Sequence, residues 1–122
     1  MRNKYQKLLD NRQTTPFESS EAAWFWYCLC EQLGFERARG GTSKTARPCE
    51  SSDIIIAVKQ LIQKGILKPT HVCVMKHYGQ EQAPPHINFG ATKRICRLWS
   101  EAMSALDSLL RRKGIVGCFL LI

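Results

Sequence analysis

The sequence predicts a mainly α-helical single domain built from four principal helices, with a helix-turn-helix-like hairpin over residues 53–78. Three observations lead there. Apolar residues recur at three- and four-residue spacing in several segments, the mark of amphipathic helices. Residues that start helices (Ser, Thr, Pro) and residues that stop them (Gly) punctuate those segments at the right places. The length, 122 residues, suits one hydrophobic core.

Residues 1–18 mix basic and polar side chains and read as a flexible basic arm carrying Arg2, Lys4, Lys7 and Arg12, ahead of a helical domain over 19–122. Ser19 or Ser20 suits a helix cap, with Glu21 in the favourable first turn and Gly34 as the stop. Between them, Ala22 to Cys30 is apolar on every side of the helix. Such a helix is buried over most of its surface, in a core or at a subunit interface. Trp24, Phe25, Trp26 and Tyr27 exceed what one small core holds, so they are expected to contact a second subunit, as a homodimer interface, or the C-terminal arm.

Residues 35–50 form a loop, broken by Gly40-Gly41 and Pro48 and carrying Arg37, Arg39, Lys44 and Arg47. GGTSK within it lacks the rest of a phosphate-binding loop and no apolar strand precedes it, which excludes nucleotide binding on this signal. The second helix starts near Asp53 after Ser51 or Ser52 and turns Ile54, Ile55, Val58, Leu61 and Ile62 to one face. Gly65 closes it, and Ile66 and Leu67 are expected to tuck into the core. Pro69 suits the first position of the third helix, which is expected to reach Tyr78 and stop at Gly79. Its inner line is Val72, Met75 and Tyr78 or Gly79, leaving Thr70, His71, Val74, Lys76 and His77 outside. His86 to Phe89 suits either one short β strand, a wing beside that helix, or a plain connector. The last helix follows Thr92 and ends at Gly114, with Ile95, Leu98, Trp99, Ala102, Met103, Leu106, Leu109 and Leu110 as its apolar stripe. GIVGCFLLI at the end reads as a terminal strand or a packing arm.

Charge narrows the function. Eighteen Lys and Arg against ten Asp and Glu leave a net +8, a field that draws polyanions. Membrane spanning is excluded among helices, because no stretch approaches the ~18 apolar residues needed. MRNKYQKLLDNRQ has no apolar signal segment, which predicts a cytoplasmic protein with reduced thiols. The six cysteines contain no CxxC pair, and Cys28 and Cys30 lie two apart in a helix, so no metal or cofactor is expected. His71 and His77 lie six apart and do not stack as i, i+4 ligands would, and no acidic pair is evident, so no enzyme is expected.

Binding of double-stranded DNA, with RNA as the neighbouring option, is the expectation that remains. In it, Lys64, Lys68 and Lys76 meet phosphates, and Thr70, His71 and His77 reach base edges or phosphates. Arg37, Arg39, Lys44 and Arg47 clamp the backbone from the loop. Lys93, Arg94 and Arg97 join them, since the first turn of a helix is unfavourable for cations and gives them no structural reason. Arg111, Arg112 and Lys113 sit in a last turn, where the helix dipole explains them without a ligand. The competing expectation is a protein–protein interaction module that dimerises through the aromatic helix 20–33.

The segments AAWFWYC, RPCESSDI, HVCVMKHYG and LWSEAMSALDSLLRRKGIV resemble a family of small, functionally unassigned proteins of alphaproteobacteria, over about residues 20–116. The resemblance implies a bacterial cytoplasmic origin. The layout is also loosely similar to compact helix-turn-helix regulators, which implies a role in transcription or as a nucleoid-associated factor.

Overall fold

The computed structural model describes residues 16–34 and 49–117. It contains α1 (Ser20–Leu33), α2 (Ser51–Gln63), α3 (Pro69–Glu81) and α4 (Lys93–Arg112). The 1–15 part of the basic arm, the loop with Arg37, Arg39, Lys44 and Arg47, and the tail after Gly117 lie outside the described residues.

The organising element is α1. Having no polar side, it packs against all three other helices. Ser19 caps it by accepting the Ala22 N–H at 3.1 Å, and Ser20 ties its start to α4. The Ser20 hydroxyl donates to the Met103 carbonyl at 2.6 Å, and the Ser20 N–H donates to Asp107 at 3.1 Å. Trp24 is a core residue (3% exposed), not an interface residue. Burial obliges its indole N–H to find an acceptor. It donates to the Met75 carbonyl on α3 at 2.9 Å.

The other three aromatics also find partners inside the chain. Tyr27 stacks on Trp24 (5.3 Å between ring centroids), Phe25 on Trp99 (5.7 Å), and Trp26 lies against Phe17 (5.2 Å). Phe25, Trp26 and Tyr27 are half-buried and pack on the core cluster. The expected subunit contact through Trp24 is therefore corrected, because the fold supplies the walls that a partner was invoked to supply. Phe17 belongs to the same core (2% exposed), so the packed chain begins ahead of residue 19.

The hairpin departs most from expectation. α2 and α3 follow each other across a short turn, yet both pack on α1 and α4 and not closely on each other. Residues 53–78 are helix-turn-helix in connectivity, not in packing. Leu67 enters the core after Gly65, but Ile66 faces solvent. Both N–H groups bond the Leu61 carbonyl, at 2.9 and 3.2 Å, so the chain wraps the helix end and directs only one of the two side chains inward.

The third helix passes through Gly79 and ends at Glu81, with Gln82 in the left-handed conformation (φ 57°). Gly79 is there for close approach: a Cβ at this position would collide with Cys28 Sγ and lie 2.8 Å from the Trp24 indole nitrogen. No wing forms at 86–89. Ile87–Phe89 is a 3-10 turn capped by His86, whose ring nitrogen accepts the Asn88 N–H at 3.0 Å. Phe89 is left 87% exposed. The expected C-terminal strand is reduced, among the described residues, to one parallel bridge between Phe17 and Val116. The α4 stripe is as expected: Trp99, Ala102, Met103, Leu106, Leu109 and Leu110 are buried, with Ile95 and Leu98 partly so.

Two outcomes follow from the α1–α3 contact. An alanine normally stabilises a helix interior over glycine by about 1 kcal/mol. At Gly79 the added methyl overpacks the crossing, at a cost of about 1–3 kcal/mol. Gly79→Ala should thus lower the urea midpoint, and pairing it with Cys28→Ala should recover part of the loss. Burial also pushes the Cys28 thiol up from 9.0 to about 11, with Glu31 adding to the rise. Above pH 9 the unfolded chain sheds this proton and the folded chain holds it. Stability linked to Cys28 is full below pH 9 and is lost as the pH climbs through about 11. Urea midpoints between pH 8 and 11 should fall more steeply in the parent than in Cys28→Ala.

Candidate nucleic-acid interface

The structure distributes the expected contact residues over three places. Lys68, Thr70, Lys76 and His77 are exposed on or beside α3, Lys93, Arg94 and Arg97 are exposed at the start of α4, and Lys64 is exposed at the end of α2.

His71 leaves the set. It is 7% exposed, and both ring nitrogens are engaged. Nδ1 accepts the Lys68 N–H at 3.1 Å, so the proton sits on Nε2, which donates to Glu101 Oε1 at 2.9 Å. An imidazole so held has no donor or acceptor left for a base edge. The inward line of α3 runs His71–Met75–Gly79: Met75 and Gly79 are as expected, and His71 stands in the place expected for Val72. Capping selects this register, because His71 in the first turn satisfies an N–H that the helix start leaves open.

The remaining outer face of α3 is poor in charge. Thr70, Cys73, Lys76, His77, Gln80 and Glu81 are exposed on it, one cation against one carboxylate. Lys76 turns toward a groove of ≈ 460 Å³ floored by α1, shared with Tyr27, Glu31, Ile55 and Gln80. Burial raises the Tyr27 hydroxyl in that groove, with Glu31 reinforcing the shift. The groove therefore sets Lys76 among a carboxylate and apolar walls. His77 lies edge-on to Tyr78, with 4.6 Å between ring centroids.

A site the sequence reading set aside emerges where α2 and α4 end. Lys64, Arg112 and Lys113, with Gln60, Gln63 and Leu109, line a cleft of ≈ 500 Å³. No carboxylate lines it. The helix-dipole argument accounts for part of this charge: each helix C-terminus carries about half a negative charge. Two ends thus offset about one of three cations, and a surplus of about two remains. Spacing alone could not reveal the cluster, because Lys64 and Arg112 are brought together only by the α2–α4 packing.

The acidic residues behave differently. Glu21 accepts the Trp99 indole N–H at 2.7 Å, and Asp53 accepts the Glu50 N–H at 2.9 Å. Glu101 holds His71, and Asp107 holds both the Ser20 N–H and Arg111, the latter at 2.6 Å. These four carboxylates are committed to the fold. Of the ten Lys and Arg among the described residues all are exposed, and Arg111 alone forms an ion pair there. Among the described residues no three His, Cys, Asp or Glu side chains gather as a metal site. No helix there is long and apolar enough to cross a membrane.

No family model, no curated protein and no solved structure matches this chain.

Proposed function

We propose that this protein binds double-stranded DNA, as a transcriptional regulator or nucleoid-associated factor. One observation carries the reading. Among the described residues Glu21, Asp53, Glu101 and Asp107 are taken up by hydrogen bonds within the fold, while every lysine and arginine but Arg111 stands on the surface without an acidic partner there. A surface whose charges are not paired with one another keeps its field for a polyanion. The net +8 of the chain sets the sign of that field. The described residues hold ten Lys and Arg against eight Asp and Glu, so most of the surplus lies in 1–15 and 35–48, which include Arg37, Arg39, Lys44 and Arg47.

Affinity in this reading comes chiefly from phosphates. The α3 side chains that remain available for base edges, Thr70 and His77, discriminate bases less sharply than a bidentate arginine on guanine. The reading is accordingly of modest sequence preference. The competing interaction-module reading drew on Trp24, Phe25, Trp26 and Tyr27, all of which have ring partners within the chain.

Anisotropy titrations of a random-sequence duplex over a salt series test it. The logarithm of the association constant should fall linearly with the logarithm of salt, by about 0.9 per phosphate contact. A duplex RNA of the same sequence, with its narrow major groove, should bind more weakly. Absence of binding at low salt, or binding indifferent to salt, overturns the proposal. Equal or tighter binding of the RNA moves it from DNA to RNA.

A further inference from the structure

The solvent face of α4 has a layout that packing does not explain. Lys93, Arg94 and Arg97 are exposed at one end, and Arg112 is exposed at the other. Arg94 and Arg112 are eighteen residues apart, which is five full turns. They therefore point the same way, about 27 Å apart along the axis. Along one flank of that line Ser100, Ser104 and Ser108 recur every fourth residue, all exposed, drifting toward it by about 40° per step. Small hydroxyl side chains keep the middle of the ridge low and offer hydrogen-bond donors. Two carboxylates lie on this stretch: Glu101, half exposed on the same face, is tied to His71, and Asp107 is tied to the Ser20 N–H and Arg111. At the far end Arg112 is backed by Lys64 and Lys113 in the carboxylate-free cleft.

We infer that α4, not α3, is the helix on which duplex DNA docks. This rests on the DNA-binding reading and names its surface. Backbone phosphates sit at both ends, on Lys93, Arg94 and Arg97 and on Lys64, Arg112 and Lys113, with the serine row facing the groove between. The dimensions agree: a helix about 10 Å wide lies along a major groove about 12 Å wide, and because the groove curves away from a straight helix, cations about 27 Å apart at its two ends come near the flanking phosphates. The outer face of α3 sets one lysine against one glutamate and cannot supply a comparable set of phosphate contacts.

The experiment is the same salt-series titration on variants of the full chain. Lys93→Glu with Arg94→Glu, and Arg112→Glu with Lys113→Glu, should each weaken binding at least tenfold. Each pair should also lower the salt slope by about two. Ser104→Glu, in the middle of the ridge, should weaken binding with a smaller change in slope. Lys76→Glu should stay within twofold of the parent. Acids in a first helical turn are favourable, so the thermal midpoint of the Lys93→Glu, Arg94→Glu variant should not fall, and its lost binding cannot be ascribed to unfolding. If the Arg112, Lys113 pair loses stability, the neutral Arg112→Gln, Lys113→Gln pair, which removes the same two contacts, should still lower the slope by about two. Parent-like binding by both end variants, with the loss found in Lys68→Glu with Lys76→Glu, overturns the α4 surface and leaves DNA binding standing. A parent without salt-dependent binding overturns both.

Discussion

Burying α1 is the constraint from which the other features follow. A helix apolar on every side must be walled on every side, and α2, α3 and α4 are the walls. That arrangement keeps α2 and α3 from packing closely on each other. It also sets polar obligations. Two indole N–H groups go into the interior with their rings, and leaving such a donor unpaired costs about 1–3 kcal/mol. Trp24 takes a main-chain carbonyl of α3, which brings α3 close enough that only glycine fits at position 79. Trp99 takes the carboxylate of Glu21.

The same obligations sort the charges. Glu21 answers an indole, Asp107 a main-chain N–H at the start of α1, and Glu101 the imidazole that caps α3. Glu21 and Glu101 would otherwise be available to neutralise a surface lysine or arginine, as Asp107 does for Arg111, for a gain of about 0–1 kcal/mol per exposed pair. Internal donors are the better partners, since leaving them unmet costs more than a surface ion pair returns. The cationic exterior is thus partly a by-product of how the interior is satisfied.

Much of this fold was legible in the sequence. α1 and α4 are bounded by Ser19, Gly34, Thr92 and Gly114 as local chemistry dictates, and the α4 stripe follows from its period. What stayed hidden depends on contacts between elements. Gly79 looks like a stop in a one-dimensional reading, and only the proximity of Cys28 reveals it as a point of close approach. His71 looks like an exposed ligand until Lys68 and Glu101 are found against its two nitrogens. Residues 86–89 have an apolar run that suits a strand, yet a strand there would need a neighbour to pair with, and the chain caps a 3-10 turn instead. The lysines and arginines were readable as charges, but not which of them would gather, because Lys64 meets Arg112 and Lys113 through packing between helices far apart in sequence.

The two ends of α4 differ in what their charge does for the fold, and the difference bears on function. Arg111 and Arg112 in the last turn oppose the negative helix end and stabilise the helix. The first turn contains no acidic residue and begins Lys93, Arg94, where each positive charge is unfavourable by about 0.3–1 kcal/mol. Fold stability alone would favour acids at that end, as at Glu21 in α1 and Asp53 in α2. Cations at both ends of one helix, with the cost carried at only one of them, are what a surface needs if both ends are to meet phosphate. The start of α4 is accordingly where the helix dipole does not account for the charges, and where the proposed phosphate contacts would act against stability.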